Sequence, residues 1–557
     1  MSEIYEKYYS EIIDENGKIV KIETGYPDDF NFAYDVMDTL AVEMSDRTAL
    51  VHKSAEGLER RFTFSDMKRL TDKTANALLD AGLKKGDSVM LLLKRRFEFW
   101  TSILAIHKIG AVAIPTSHMV SVDDIRERVI KADVKAVICA NSEQICTKVS
   151  DAVAGRKVIK IKVGDPFIDF LDLNEMTEKA SDKLERIKTK ASDNMSMFFT
   201  SGTNGSPKAV IHDHSYPIAH IYTAKNWHGV KKGGLHLTVA DSGWAKSSWG
   251  KLYGQWFMGC AIMVYDYEQF YAADMLKLLQ DEKITSFCAP PTIYKYLVLE
   301  DFSSYDLFAL ECVTTAGEAM PAEVSEKFTK MTGLTVREGF GQTETALQIC
   351  TAVDDTAVPG SIGKGSPLYN LDVVDVEGRS VGPDEEGEIV IRTEEGKRPI
   401  GVLKGYLDDD ELYKELWYGG IYHTNDIATR DKNGNFFYIG RNDDVIKSSG
   451  YRIGPSEVED ILMKHPAVFE CAVTAYPSKR RGYIVKATVV LNKGFSDDGK
   501  LATKLQEFVK QNAAIYKYPR MIVFADSIPH TVNGKINRAA IRAADRKALK
   551  EKESGRP

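Results

Sequence analysis

The chain has 557 residues, of which 43% are hydrophobic and 27% charged. This length and composition exclude a short binding module and a globally disordered chain, and they predict two or more domains, at least one of them large. The formal charge of -7 comes from 73 basic and 80 acidic residues spread along the chain, so there is no basic patch of the kind that binds nucleic acid.

The seven cysteines form no CxxC pair and lie mostly in apolar, strand-like runs, so we expect reduced core residues. No apolar stretch approaches the ~20 residues that cross a bilayer, and the N-terminal sequence lacks the apolar region of a secretory signal. These features predict a cytoplasmic protein with no stable membrane insertion. They leave a homodimer open.

From residue 88 onward, apolar strand-like runs alternate with amphipathic stretches, as in SVMLLL (88–93), FEFWTSILAIHKIG (97–110) and AVAIP (111–115). A second series of the same kind begins after Gly234. This alternation predicts an α/β fold in which helices flank parallel sheets. Ligands of such sheets bind at the carboxyl ends of the strands, and the loops that follow the strands are therefore the places to look for a site.

After about residue 351 the pattern changes to hairpins punctuated by glycine, including residues 421–441 with Lys432, Asn433 and Gly434 at the turn. This pattern predicts an antiparallel β subdomain. Beyond Arg441 a helix, two strands and two further helices follow, the last of them basic. We therefore predict a large domain over residues 1–442 and a small, mobile α+β domain over residues 443–550.

A loop of small, hydroxyl-bearing and glycine residues follows an apolar strand in the segment MFFTSGTNGSPKAV (197–210). Glycines let backbone N–H groups approach phosphate oxygens, hydroxyls donate hydrogen bonds, and a lysine supplies positive charge. The spacing is not that of a Walker A loop, and on its own such a loop is more often a solvated turn. The loop consists of Thr200, Ser201, Gly202, Thr203, Asn204, Gly205, Ser206, Pro207 and Lys208.

This loop resembles the phosphate loop of the adenylate-forming enzymes, a superfamily of acyl-CoA synthetases, peptide synthetase adenylation domains and luciferases. Further segments resemble that family in the same order along the chain. They are AGE (316–318), EGFGQTE (338–344), YHTNDIATRDKNG (422–434), GRNDDVIKSSGYRIGPSEVE (440–459) and HTVNGKINR (530–538). The chain departs from the family at Asn204, where threonine is usual, and at Asn425, where glycine is usual.

The resemblance implies an ATP site in which Phe340 stacks on adenine, Asp426 binds the ribose hydroxyls and Thr343 contacts the α-phosphate. It implies a magnesium ion at Glu344, whose carboxylate is the type of ligand that a hard cation prefers. Thr343, Glu344 and Lys535 are the implied catalytic residues. Besides residues 200–208, the implied ATP-binding residues are Gly317, Glu318, Glu338, Gly339, Phe340, Gly341, Gln342, Thr343, Asp426, Arg441 and Lys535.

The resemblance also implies that the small domain turns about Asp443, carries Lys535 and presents a loop to CoA. The implied CoA-binding residues are Ser449, Gly450, Tyr451 and Arg452, and glycine at 450 suits a narrow tunnel because it has no side chain. The large domain then binds ATP and the acid, with Trp244, Trp249 and Gly317 at the acyl pocket.

Residues 240–256 and 287–297 most resemble the medium-chain acyl-CoA synthetase branch. The implied function is an ATP-dependent carboxylic acid:CoA ligase that releases AMP and pyrophosphate and acts on short- to medium-chain, branched or aromatic acids. An acyl-AMP ligase that serves a carrier protein, a non-catalytic nucleotide sensor and a luciferase-type oxygenase remain as alternatives. The acyl-AMP ligase would not depend on free CoA, and the sensor would show no turnover. The oxygenase would emit light or consume oxygen.

Overall fold

A computed structural model describes residues 3–140, 142–200, 207–394, 397–448, 451–478, 482–531 and 535–553. Within these ranges the side chains at positions 447, 451, 452, 552 and 553 are not described.

The strands up to residue 288 are β1 Tyr9–Ile13, β2 Ile19–Thr24, β3 Thr48–Ser54, β4 Glu59–Thr63, β5 Ser88–Leu92, β6 Val112–Pro115, β7 Val134–Ala140, β8 Ile159–Val163, β9 Leu171–Asp172, β10 Asn194–Thr200, β11 Lys208–Asp213, β12 Leu235–Thr238, β13 Ala261–Asp266 and β14 Ser286–Cys288. The later strands are β15 Cys312–Ala316, β16 Val336–Gly341, β17 Leu347–Cys350, β18 Gly363–Gly365, β19 Asn370–Val374, β20 Gly387–Arg392, β21 Gly405–Tyr406, β22 Trp417–Tyr418, β23 Ile421–Arg430, β24 Asn435–Arg441, β25 Ile446–Ser448, β26 Tyr451–Ile453, β27 Val468–Ser478, β28 Gly482–Leu491 and β29 Met521–Phe524.

The α-helices up to residue 297 are α1 Thr39–Glu43, α2 Phe64–Asp80, α3 Glu98–Ile109, α4 Val122–Lys131, α5 Glu143–Ala152, α6 Leu173–Lys179, α7 Tyr216–Tyr222, α8 Ala245–Gly250, α9 Tyr253–Phe257, α10 Ala272–Asp281 and α11 Pro291–Leu297. The later helices are α12 Ala322–Thr332, α13 Asp410–Glu415, α14 Pro455–Met463, α15 Leu501–Asn512 and α16 Arg538–Glu553. Short 3₁₀ segments span Ile4–Lys7 and Phe302–Ser304, and π-helical segments span Ala33–Asp38 and Thr223–Trp227.

The first large sheet has the strand order β21-β11-β10-β6-β5-β7-β8-β9. Its strands from β10 to β9 are parallel, and β11 and β21 add antiparallel neighbours at one edge. Every residue of β5 and β6 is buried, which explains why these strands are continuous apolar runs rather than alternating ones. The helix-flanked parallel sheet predicted from residue 88 is confirmed.

The second large sheet has the order β19-β20-β23-β24-β18-β17-β16-β15-β14-β12-β13-β3-β4, with β22 paired to β23. Strands from β16 to β3 are parallel, whereas those from β16 to β19 are antiparallel. The predicted antiparallel strands therefore continue the parallel sheet at β16 and share its backbone hydrogen bonding. The hairpin turn predicted at 432–434 joins β23 to β24, and Gly434 adopts the positive φ of 84° that such a turn requires.

A third sheet of five strands is formed after residue 445, with β26-β25-β28-β27 in order and β29 parallel to β28. Helices α14 and α15 pack their apolar sides on it around Val458, Leu462 and Leu505. The predicted domain boundary at Asp443 falls in the link between β24 of the second sheet and β25 of the third. The division into residues 1–442 and 443–550 remains a prediction.

All seven cysteines are free and buried, which agrees with the expected reduced core residues. Among the residues described, no helix has the length and apolar content needed to cross a membrane.

Candidate active site

Strands β10 and β11 hold the two ends of the predicted phosphate loop. Thr200 is paired with Lys208 in an antiparallel register, so both residues leave the first sheet at the same point. The Lys131 ammonium donates to the carbonyl of Pro207 at 2.8 Å and ties the end of the loop to α4. The predicted residues Ser201, Gly202, Thr203, Asn204, Gly205 and Ser206 lie outside the described part of the chain.

The AGE and EGFGQTE segments lie side by side, because Ala316 at the end of β15 is in register with Gly339 of β16. Gly317 follows with a φ of 104°, a backbone conformation that residues other than glycine rarely adopt. The Glu338 carboxylate accepts a hydrogen bond from the Met320 N–H at 3.2 Å. The sheet register thus brings together two motifs about 20 residues apart in sequence, as strand-end sites in α/β folds require.

Glu338 is a carboxyl group in a desolvated position. Burial raises the pKa of Glu338 from 4.5 to about 8, and the nearby Asp460 carboxylate acts in the same direction. A carboxyl group whose folded-state pKa is raised binds a proton that the unfolded chain has already lost, so its contribution to stability falls as the pH rises from about 4.5 to about 8.

Glu338→Gln should remove this pH dependence, because the amide is neutral throughout. Relative to wild type, the variant should gain melting temperature as the pH is raised from about 5 to about 8, measured by thermal unfolding at several pH values. Glu323→Gln, at an exposed position in the first turn of α12, is the matched control and should follow wild type. Parallel profiles for wild type and Glu338→Gln would contradict this assignment.

Two glycines of β16 lie against tryptophan rings. A Cβ atom built on Gly339 would lie 2.4 Å from the ring of Trp227, and one on Gly341 would lie 2.3 Å from the ring of Trp249. Glycine is therefore required at both positions by close packing. Between them, the Phe340 ring lies 5.6 Å from the Tyr438 ring, centroid to centroid, so an aromatic pair lines the strand end where adenine is expected.

Asp426 is the centre of a buried hydrogen-bond network. It accepts from the Tyr438 hydroxyl at 2.8 Å and from the Gln342 amide at 2.5 Å, and Gln342 also donates to the Thr424 carbonyl. Burial raises the pKa of Asp426, whereas the guanidinium of Arg441, its register partner on β24, lowers it. The network fixes the orientation of a carboxylate, which is the group that the sequence predicted to bind ribose hydroxyls.

Asn425 occupies the position where the family usually has glycine, and it adopts a φ of 60°. Asparagine tolerates this left-handed conformation better than other non-glycine residues. The expected turn is absent: Asn425 lies within β23, where the register with β20 shifts, and its N–H donates to the Glu388 carboxylate of β20 at 2.7 Å.

Thr343 and Glu344 lie just beyond the end of β16, and both accept hydrogen bonds from residues of other segments. His212 Nε2 lies 2.8 Å from the Thr343 carbonyl, and burial lowers the pKa of His212 to about 4, so this ring is neutral and donates. The Leu403 N–H donates to the Glu344 carbonyl at 2.6 Å, and the Tyr406 hydroxyl donates to its carboxylate at 2.9 Å.

The donor chemistry at Glu344 fits a magnesium ion. Magnesium prefers oxygen ligands and usually combines one or two carboxylates with substrate phosphates and waters. The described residues contain no group of three or more acidic, histidine or cysteine side chains that would hold a metal by themselves. The single carboxylate of Glu344 suits a magnesium ion whose other ligands are substrate phosphates and waters.

The C-terminal segment brings the charge of Lys535 within electrostatic range of Asp426. Lys535 is exposed, and its positive charge acts on Asp426 and on Lys246, in each case lowering the pKa of that group. Asp443 accepts from Arg441 at 3.2 Å in the link between the sheets. The predicted CoA residues Ser449 and Gly450 lie outside the described residues, whereas the backbone of Tyr451 and Arg452 forms β26.

The tryptophans of residues 240–256 differ in burial and in their contacts. Trp244 is half-buried just before α8, and Trp249, within α8, packs on Gly341. Trp256 is fully buried and donates to the Ala49 carbonyl at 2.9 Å. Trp249 and Trp256 belong to the same hydrophobic cluster, and the place of Trp244 and Trp249 at an acyl pocket remains a prediction.

Three side chains of the site were not identified from the sequence. Tyr438 and Tyr406 support the acidic residues from other strands, and Lys246 projects from α8 toward the end of β15. Lys246 and Trp249 are three residues apart in a short helix and therefore share a face, which was the available signal.

The chain matches the family model of AMP-binding enzymes over residues 38–407 and that of the AMP-binding enzyme C-terminal domain over residues 457–535. The chain belongs to the AMP-binding enzyme family. It is 36% identical over 539 residues to the acyl-coenzyme A synthetase ACSM3, mitochondrial, of Homo sapiens, covering 94% of this chain and 91% of that protein. The predicted family and its medium-chain acyl-CoA synthetase branch are confirmed.

Solved structures of the family share the fold. The anthranilate CoA ligase AuaEII, in complex with anthranoyl-AMP, superposes with a TM-score of 0.84 at 27% identity, covering 94% of this chain and 99% of that one. The Brucella canis acyl-CoA synthetase gives a TM-score of 0.71 at 30% identity, covering 94% and 96%. The predicted α/β architecture with a smaller C-terminal unit is confirmed.

Proposed function

We propose that this protein joins a carboxylic acid to CoA at the expense of ATP, through an acyl-adenylate. The observation that carries this function is that Lys535, from the C-terminal segment, lies within electrostatic range of the buried Asp426 carboxylate of β23. Membership of the acyl-CoA synthetase branch supports the same reaction.

In the first half-reaction, a carboxylate oxygen of the acid attacks the α-phosphorus of ATP, and the bond to the pyrophosphate oxygen breaks. Negative charge increases around the α-phosphate in the transition state. Lys535 opposes this charge, Thr343 contacts the phosphate, and Asp426 holds the ribose so that the reacting atoms are aligned. Glu344 would hold a magnesium ion, which would supply further positive charge near the phosphates.

In the second half-reaction, the CoA sulfur attacks the acyl carbonyl carbon, the bond to AMP breaks, and the thiol proton is released. This step needs a path for pantetheine and does not need Lys535. Rotation of residues 443–550 about Asp443 would withdraw Lys535 and bring the loop at 449–452 to the cleft.

The acid we propose is short to medium in length, branched or aromatic. Trp249 packs directly on Gly341 at the strand end. The chain length of the carboxylic acid is therefore expected to be limited by the indole ring of Trp249.

Trp249→Ala should shift the preferred acid toward longer chains. Each additional methylene that the enlarged pocket buries is worth roughly 0.8 kcal/mol, or about fourfold in kcat/KM. A series of straight-chain acids assayed by acyl-CoA formation measures the shift, and Trp256→Phe, at the core tryptophan, is the control. Efficient use of palmitate by the wild-type enzyme would show that the indole does not limit chain length.

A pyrophosphate-release assay over a panel of carboxylic acids, with and without CoA, tests the proposed function. A ligase should release pyrophosphate and AMP with at least one acid and form the acyl-CoA in equal amount. Acyl-AMP that accumulates and is not consumed by CoA would indicate the carrier-protein alternative. Absence of turnover with every acid would indicate a nucleotide sensor.

A cytoplasmic location and a homodimer belong to the same proposal. The human relative is named as mitochondrial, so fractionation of the source cells is the test of location. Light scattering of the purified protein tests the assembly.

A further inference from the structure

Lys246 is a lysine in the candidate active site that the proposed mechanism does not use. It lies in α8, and its ammonium donates to the carbonyl of Ala316, the last residue of β15, at 2.7 Å. Gly317 and Glu318, which follow Ala316, form the segment expected to line the adenine and acyl sites. The side chain therefore reaches the carboxyl ends of the parallel strands, where the substrate is expected.

The ammonium of Lys246 has N–H donors that make no hydrogen bond to the described protein groups. A lysine ammonium carries three N–H donors. Within the described ranges, the Ala316 carbonyl is the single acceptor bonded to it, and no carboxylate lies within ion-pair distance. The residue is half-buried, so the remaining donors are neither paired with protein groups nor freely hydrated. Such a group is expected to bind an acceptor supplied by a ligand.

The hydrogen bond to Ala316 places Lys246 at the end of β15, and the charges around it act on its pKa. Burial lowers the pKa of Lys246, the thiolate form of Cys288 and the Glu318 carboxylate oppose this, and the charge of Lys535 lowers it further. The influence of Lys535 places its charge within electrostatic range of Lys246. Within the described ranges neither lysine forms an ion pair with a carboxylate, so the two ammonium groups can bind negative charge or polarised oxygen atoms.

We propose that Lys246 binds an oxygen atom of the acyl group, as a second cation of the acid site. This inference rests on the proposed ligase function. The oxygen belongs either to the reacting carboxylate or to a second function on the acid, such as a hydroxyl or a further carboxylate. Both present the same acceptor chemistry to an ammonium group.

Lys246 differs from Lys535 in where it is anchored. Its contact with β15 belongs to the second sheet, which precedes Asp443, so rotation of residues 443–550 leaves it in place. A lysine that contacts the reacting carboxylate should therefore act in both half-reactions, whereas Lys535 should act in the first alone.

The test compares Lys246→Met, which keeps the length of the side chain but removes the charge, with Lys246→Arg and wild type. The acids are isobutyrate, 2-hydroxyisobutyrate and methylmalonate, which share a carbon skeleton and differ in a second oxygen function. The readouts are kcat/KM for acyl-CoA formation and the rate of thioester formation from supplied acyl-AMP. Lys277→Met, at an exposed position on α10, is the control and should match wild type.

We expect Lys246→Met to lose about tenfold or more in kcat/KM, the scale of a lost charge-assisted hydrogen bond, with partial recovery in Lys246→Arg. A loss common to all acids and present in both half-reactions assigns the reacting carboxylate. A loss confined to 2-hydroxyisobutyrate or methylmalonate assigns a second oxygen function.

Unchanged kinetics of Lys246→Met with every acid and in both half-reactions would overturn the inference while leaving the ligase function intact. A wild-type enzyme that makes no acyl-CoA from any acid in the wider panel would instead overturn the proposed function. If Lys246→Met fails to fold, as judged by thermal unfolding, Lys246→Arg carries the test. Wild-type kinetics of Lys246→Arg with all three acids would then also count against the inference, because the bulkier guanidinium cannot keep the same contacts with the Ala316 carbonyl and a bound oxygen.

Discussion

Lys535→Ala should slow formation of the acyl-adenylate by ~10²-fold or more while leaving thioester formation from supplied acyl-AMP nearly unchanged. The expected loss corresponds to removal of a cation that stabilises developing negative charge, worth about 3 to 4 kcal/mol by analogy with oxyanion-hole donors. In the present orientation the charge of Lys535 acts on Asp426, so the lysine lies on the nucleotide side of the cleft. The two half-reactions can be measured separately by pyrophosphate release and by acyl-CoA formation.

Lys504→Ala is the matched control for this prediction. Lys504 is an exposed lysine of α15 paired with Asp498, and it belongs to the same C-terminal unit as Lys535. Its replacement should leave both half-reactions at wild-type rates. Equal losses in the two half-reactions of Lys535→Ala would contradict the assignment of this lysine to adenylation.

Asp443→Pro should preserve pyrophosphate release and abolish most acyl-CoA formation. Proline fixes φ near -65°, and rotation between two packed bodies must concentrate its dihedral change in the few residues that link them. Asp443 lies in the short link between β24 and β25, and the hydrogen bonds of this link to the Arg441 carbonyl come from the amides of Asp444 and Val445. The substitution therefore restricts rotation without removing either of these bonds.

The orientation seen here places Lys535 at the cleft, so the restricted variant should remain competent for adenylation. We expect overall acyl-CoA formation to fall at least about tenfold, with acyl-AMP accumulating, because lid and domain motions often limit such reactions. Asp443→Ala, which keeps backbone freedom, should stay close to wild type. Normal acyl-CoA formation by Asp443→Pro would mean that the pivot is elsewhere or that no rotation is needed.

Much of the fold could be predicted because local patterns carried the information. The buried strands β5 and β6 are continuous apolar runs, and the β23–β24 hairpin is marked by its Lys-Asn-Gly turn. The joining of parallel and antiparallel strands into one sheet at β16 could not be predicted, because pairing between distant strands leaves no local pattern.

The same distinction applies to the site. The motifs around Phe340 and Asp426 were identified by resemblance, and the structure shows that Tyr438 and Gln342 orient the Asp426 carboxylate. The contact of Lys246 with Ala316 joins residues 70 positions apart, so no window of sequence contains it. Trp256 is close to Trp249 in sequence but is fully buried and bonded to the Ala49 carbonyl, a partner that no local pattern identifies.

The path of the carboxylate oxygen tests the central claim most directly. With an acid labelled with ¹⁸O in both carboxylate positions, together with ATP and CoA, mass spectrometry of the products should find one ¹⁸O in AMP, one in the acyl-CoA carbonyl and none in pyrophosphate. This distribution follows because the attacking oxygen stays on phosphorus when the CoA thiol expels AMP. Unlabelled AMP, or label in a released phosphate, would contradict an acyl-adenylate pathway.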